Sequence, residues 1–171
     1  MGILVCGLNG SGKSTLGRAL AAALRLRFLD SEDLYFPDGR FDAPRTREEF
    51  LAALDAATRE GDFVFASVKG NGVQALHERI SLAIWVDAPR ETRLQRVRER
   101  SFRRFGERML PGGDLYAAEE KFFAQVASRS DEEMRAWAAQ LPWPVLRVDG
   151  TRPVQALVPE LCTWISETTG L

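Results

Sequence analysis

Gly7-Leu8-Asn9-Gly10-Ser11-Gly12-Lys13-Ser14 decides how this chain is read. The octet follows a short apolar run, Ile3-Leu4-Val5-Cys6, and leads into a stretch where Leu16, Leu20 and Leu24 recur at helical spacing. A strand that breaks into glycines and re-emerges as a helix turns successive backbone N–H groups toward one point. The helix N-terminus adds partial positive charge there, so the junction is an anion cradle. Gly7, Gly10 and Gly12 let the backbone approach the anion, while Leu8, Asn9 and Ser11 fill the loop between them. The spacing G-x-x-x-x-G-K-S supplies two further groups, an ammonium on Lys13 for the β- and γ-phosphates of a nucleoside triphosphate and a hydroxyl on Ser14 for Mg²⁺. Thr15, in the first helical turn, is grouped with the cofactor-binding residues, either as a contact or as ordinary helix.

Outward from this point, apolar runs alternate with amphipathic stretches. Strands are expected at 3–6, 27–30, 63–66, 81–86 and 144–148, and helices at 13–25, 46–60, 73–78, 90–104, 115–129, 131–141 and 154–166. Thr46 and Glu49 form a capping box, Asp131 is a candidate N-cap, and 31–45, with Pro37, Gly39 and Pro44, reads as irregular. Near-continuous apolar strands alternating with helices predict an α/β fold, a parallel sheet covered by helices on both faces. No repeat, low-complexity tract or linker interrupts the pattern, so residues 1–171 read as a single domain.

Composition narrows the function classes. Of 171 residues, 45% are hydrophobic and 27% charged, with a net charge of −1, which fits a globular protein without an overall basic field for nucleic acid. One histidine and two distant cysteines, Cys6 and Cys162, rule out a Cys/His zinc framework and a disulfide scaffold. No apolar run is long enough to span a bilayer, and the expectation is a cytoplasmic protein without membrane partners, monomer or homodimer.

In an open α/β sheet, ligands gather beyond the carboxyl ends of the strands. Asp30-Ser31-Glu32-Asp33 falls at such an end. Asp30 is assigned to the metal and Asp33 to the acceptor contact, with Glu32 as the alternative acceptor carboxylate. Strand three ends in Ala66-Ser67 and continues as Val68-Lys69-Gly70-Asn71-Gly72, where Lys69 is either an anion contact or a solvated loop lysine. Arg40, Arg45 and Arg47 flank the region after strand two, and Arg45 is the candidate for an anionic substrate. Among 23 cationic residues only Lys13, Lys69 and Lys121 are lysine. Arg93, Arg96, Arg100 and Arg104 share one stripe of a helix, with no acidic residue of that helix on it. Phe105-Gly106-Glu107-Arg108-Met109-Leu110-Pro111-Gly112-Gly113-Asp114 then reads as a hinged flap. Arg96, Arg100 and Arg104 are the candidates for contact with a transferring phosphoryl group, since a planar guanidinium matches phosphate.

Four stretches taken together, Gly7 to Thr15, Phe28-Leu29-Asp30, Val86-Asp87-Ala88-Pro89 with Arg93 and Arg96, and Val148-Asp149-Gly150-Thr151, resemble the small P-loop kinases. Adenylate, shikimate and gluconate kinases are members. The resemblance spans the chain and implies a three-layer P-loop NTPase fold, with a five-stranded parallel sheet in order 2-3-1-4-5 and a helical lid at 98–114. It implies ATP and Mg²⁺ as cofactors and phosphoryl transfer to a small-molecule hydroxyl or phosphate, such as a nucleotide, sugar acid or shikimate-like metabolite. By position it puts Lys13 and Ser14 on nucleotide and metal, Asp30 near magnesium, and Arg100, Arg103, Arg104 or Arg108 in the lid. The turn at 150–153, with Arg152, falls against adenine, and the acceptor region at 31–60. Shikimate kinases carry a glycine triplet where this chain has Lys69-Gly70-Asn71-Gly72, so the acceptor stays open. A nucleic-acid end kinase and a non-enzymatic nucleotide-binding regulator or ATPase are the alternatives.

Overall fold

A computed structural model describes residues 1–37, 43–70 and 72–170. In chain order it contains β1 (Gly2–Cys6), α1 (Lys13–Leu24), β2 (Arg27–Asp30), α2 (Ser31–Tyr35), α3 (Arg47–Arg59), β3 (Phe63–Ser67), β4 (Ile80–Asp87), α4 (Arg90–Phe105), α5 (Tyr116–Ala127), α6 (Asp131–Ala138), β5 (Val145–Asp149) and α7 (Val154–Thr169). The strands form one parallel sheet in the order β2-β3-β1-β4-β5, as the family resemblance implies.

Strand alternation builds two cores. Leu4 and Cys6 of β1 face one side with Phe65, Ala83 and Trp85, against Phe50 and Leu54 of α3 and Met134 of α6. Ile3 and Val5 face the other with Val64, Leu82 and Ile84, against Leu16 and Leu20 of α1 and Leu157 and Leu161 of α7. A smaller cluster of Val97, Met109, Phe123 and Val126 ties α4 to α5. The parallel register matters most for function. Cys6 pairs with Ser67 and Trp85, Asp30 with Ala66 and Asp87 with Asp149, so all five strands end along one edge.

Local chemistry explains where elements begin. Thr46 Oγ1 accepts from Glu49 N–H at 3.2 Å, and the Glu49 carboxylate accepts from Thr46 N–H at 2.8 Å, which completes the expected capping box. That backbone donor holds the Glu49 carboxyl below its ordinary range. Thr46→Ala is expected to lower stability by about 1 kcal/mol, read from the urea midpoint at unchanged slope. An unshifted midpoint would show the cap to be idle.

Four expectations need correcting. The stretch 31–45 is not wholly irregular, because the Asp30 carboxylate caps Glu32 N–H at 2.9 Å and nucleates α2, with Glu32 and Asp33 in its first turn. The expected helix at 73–78 is only a 3₁₀ turn, Gln74–Leu76. Ser130, not Asp131, caps α6, accepting from Glu133 N–H at 3.1 Å and leaving the Asp131 side chain free for another partner. The helix expected at 131–141 ends at Ala138. In the expected flap, a 3₁₀ turn at Gly106–Met109 follows α4, and Arg108 clamps Asp114 through two hydrogen bonds of 3.0 and 2.6 Å.

Candidate active site

The loop between β1 and α1 sits at the middle of the strand-end edge. Gly10 has φ +81°, and a Cβ there would lie 2.2 Å from the Arg93 carbonyl oxygen, so α4 packs directly against the loop. Gly12, at φ +103°, is the N-cap of α1 and has no side-chain cap, which leaves the first N–H groups of the helix without a side-chain acceptor. Ser11 Oγ is buried with no partner. A donor-rich concavity of this kind fits a phosphate chain.

Lys13 opens α1 and is 6% exposed. Burial pushes its ammonium pKa down, Asp30 and Glu32 pull it back up, and Arg100 and Arg129 oppose them. One buried cation therefore lies in the field of two carboxylates and two guanidinium groups from three other places in the chain. Arg100 of α4 approaches Glu32 of α2 at 3.9 Å. Arg129, in the connection between α5 and α6, is half-buried and has no ion pair among the described residues. Its Nε is buried without an acceptor, and burial pushes its pKa down. Nothing in the sequence marked Arg129, which stands in the polar run Ala127-Ser128-Arg129-Ser130.

The other expected site residues have distinct surroundings. Asp33 points its charge interactions toward Asp30 and Arg18, and burial is the main cause of its raised pKa. Asp30 is 7% exposed, with one oxygen engaged in the α2 cap. Arg96 donates to Gly150 O at 2.9 Å, and Gly10 O and Ser11 O lie within 3.4 Å of the same nitrogen, so its guanidinium fastens α4 to the loop. Arg104 lies over the Phe105 ring. Arg45 donates to Leu34 O at 2.7 Å and ties off the end of α2. Lys69 pairs with Glu133 of α6 at 3.5 Å. Arg40 and Asn71, and residues 38–42 of the expected acceptor region, lie outside the described residues.

Carboxylates from outside α4 reach its arginine stripe: Arg93 pairs with Asp131 at 2.5 Å and Arg100 approaches Glu32. No acidic residue of α4 lies on the stripe, yet Arg93 and Arg100 find carboxylates from elements distant in sequence, which a helical-wheel reading does not reveal. Next to the loop, Gly12, Thr15, Arg96, Gly150, Arg152 and Pro153 line a cleft of about 360 Å³. The turn expected against a nucleotide base therefore borders the phosphate loop, with Arg152 held by Glu160 at 2.9 and 2.5 Å. Cys6, directly before the loop, is inert, its thiol pushed up to about 12 by burial.

The family described as AAA domain matches residues 3–108. The shikimate kinase of Symbiobacterium thermophilum is 34% identical over 150 residues, covering 74% of this chain and 83% of that protein. This chain belongs to the small P-loop kinases of the adenylate and shikimate kinase-like group. An uncharacterized Bacillus subtilis protein, YqaC, is 29% identical over 175 residues and covers 96% of this small P-loop kinase and 97% of its own length. The crystal structure of shikimate kinase from Aquifex aeolicus shares the kinase fold, with TM-score 0.60 and 18% identity over 99% of this chain and 98% of that one. No helix among the described residues is long and apolar enough to cross a membrane.

Proposed function

We propose that this kinase transfers the γ-phosphoryl group of Mg²⁺-bound ATP to a hydroxyl of a small acceptor that also carries an anionic group. The observation that carries this reading is the buried Lys13 at the phosphate loop with Glu32, which Arg100 approaches at 3.9 Å, in its electrostatic field. A kinase needs a proton acceptor next to its phosphate loop, and Glu32 is a carboxylate in that position. Arg129 is a half-buried guanidinium acting on the same lysine, with an N–H that no described residue answers, and a carboxylate or phosphate on the acceptor is its proposed partner.

Each residue then has a task. The amides from Gly7 to Ser14 and the Lys13 ammonium hold the triphosphate, with Thr15 alongside. Ser14 and Asp30 are the groups that would hold magnesium, which when bound neutralises phosphate charge. The cleft by Arg152 takes the base. Glu32 takes the proton of the acceptor hydroxyl as its oxygen bonds to the γ-phosphorus, and the bond from that phosphorus to the bridging oxygen breaks, so that ADP leaves. Asp33, one residue on and raised in pKa by burial, supports the acceptor from the outer side. Arg100, with Arg104 and Arg96 on the same helix, brings positive charge to the transferring group, while Arg45 and Lys69 border the acceptor space.

Residues 98–114 act as the lid. ATP·Mg²⁺ together with an acceptor is expected to slow proteolysis within 100–114, with fragments mapped by mass spectrometry; equal cleavage with and without ligands removes the lid from the mechanism. The acceptor itself is sought by ADP release over hydroxy acids, sugar acids, nucleosides, nucleotides and aminoglycosides. Acceptors bearing a carboxylate or phosphate should stimulate release. Stimulation confined to uncharged alcohols would contradict the role of Arg129, and no stimulation by any acceptor would contradict the kinase reading.

A further inference from the structure

A second cleft is larger than the one beside the phosphate loop. A space of about 620 Å³, in the size range of small-molecule sites, opens where β4, β5, α4 and α6 meet. Asp149 borders it while Gly150, Thr151 and Arg152 border the nucleotide-side cleft, and the two share no lining residue. Six of its lining residues are charged: Asp87, Arg90, Asp131, Arg135, Arg147 and Asp149.

The three carboxylates balance the three guanidinium groups in number, but they are not paired one to one. Asp87 is held by Arg147 at 2.5 and 3.0 Å, and Asp131 by Arg93 at 2.5 Å. Asp149 accepts from Thr151 N–H at 2.8 Å and from its hydroxyl at 2.7 Å, which keeps its carboxyl below the ordinary range. Every carboxylate is thus engaged, whereas Arg90 has one bond, to Ala127 O at 2.6 Å, and Arg135 makes no side-chain hydrogen bond or ion pair among the described residues. A further guanidinium lies behind the lining residues rather than among them. Arg93 is 1% exposed and bridges two lining residues, donating from Nε to Ala88 O at 3.0 Å and from Nη2 to Asp131. Its Nη1 is buried with no acceptor. Such an unanswered charged donor is costly unless something arrives to accept from it. α4 also begins at this wall, with Pro89 as its N-cap and no side-chain cap.

We propose that this cleft binds an oxyanion, a phosphate or carboxylate borne by a small molecule, on Arg90 and Arg135, with Arg93 holding Ala88 and Asp131 of the wall from behind. The ligand is a regulator rather than a reactant, because Lys13 and Glu32 are not part of the wall. The Arg93 backbone lies against Gly10, so whatever its guanidinium holds touches the residue that backs the phosphate loop.

The test uses the ¹⁵N-labelled full chain, titrated with sulfate and separately with malonate at constant ionic strength. Saturable amide shifts are expected at 88–92 and 131–135, resolved by position from any at 7–14. Arg135→Gln removes a partnerless surface group and leaves the fold intact. It should raise the dissociation constant at 88–92 and 131–135 about tenfold, with the response at 7–14 unchanged. Arg90→Gln with Arg135→Gln should abolish the response at the first two segments. Tighter sulfate than malonate indicates a phosphate-bearing ligand, and the reverse a carboxylate. No saturable shift there below about 50 mM of either probe, or an Arg135→Gln titration identical to the parent, overturns the proposal. The 7–14 amides report the kinase site independently, so failure of one reading is visible without failure of the other.

Discussion

Lys13→Ala is expected to lower kcat/KM by about 10³-fold while leaving the protein folded and no less stable. The kinetic half follows from position. Lys13 is the buried cation of the phosphate loop, and phosphoryl transfer depends almost entirely on positioning and on neutralising charge. The stability half follows from the direction of its pKa. Burial lowers the folded-state pKa below the ordinary lysine value of 10.5, so between those two values the unfolded chain binds more protons. Stability therefore rises as pH increases through that window, and below it the charged lysine opposes folding throughout. Removing the side chain removes that penalty. The melting temperature of the variant should match or exceed that of the parent at neutral pH, and its stability should vary less on the alkaline side. A variant that melts well below the parent would show Lys13 to be a structural residue; one with unimpaired turnover would remove it from the chemistry.

The second large effect separates two neighbouring carboxylates. Glu32→Gln should reduce kcat by about 10²- to 10⁴-fold with little change in the KM for ATP, because it removes the proton acceptor and keeps the shape. Asp33→Asn should change kcat only a few-fold, since its charge interactions run to Asp30 and Arg18 rather than to Lys13. Both variants are measured by ADP release with the acceptor found in the screen. The opposite ranking would move the base to Asp33 and take Glu32 out of the proton transfer.

What could be read from sequence, and what could not, divides along a physical line. The phosphate loop, the Thr46–Glu49 cap and the five strands are local patterns, in which the information lies within a few residues. The assembly around Lys13 is not local. Glu32 and Asp33 differ by one position in a polar quartet, and only the folded turn started by the Asp30 cap separates them, Glu32 acting on Lys13 and Asp33 on Arg18. Arg129 acts on Lys13 from the connection between α5 and α6, and no periodicity encodes that coupling. The arginine stripe on α4 was legible as a stripe but not as a set of bonds, because Asp131 and Glu32, its partners, come from other elements.

The most direct measurement is titration calorimetry of the wild-type chain with non-hydrolysable purine and pyrimidine triphosphates in the presence of Mg²⁺, repeated at two temperatures. One-to-one binding by at least one of them, abolished in Lys13→Ala, is the predicted result. No heat of association from any of them at either temperature would mean that no triphosphate lodges between Gly7 and Ser14.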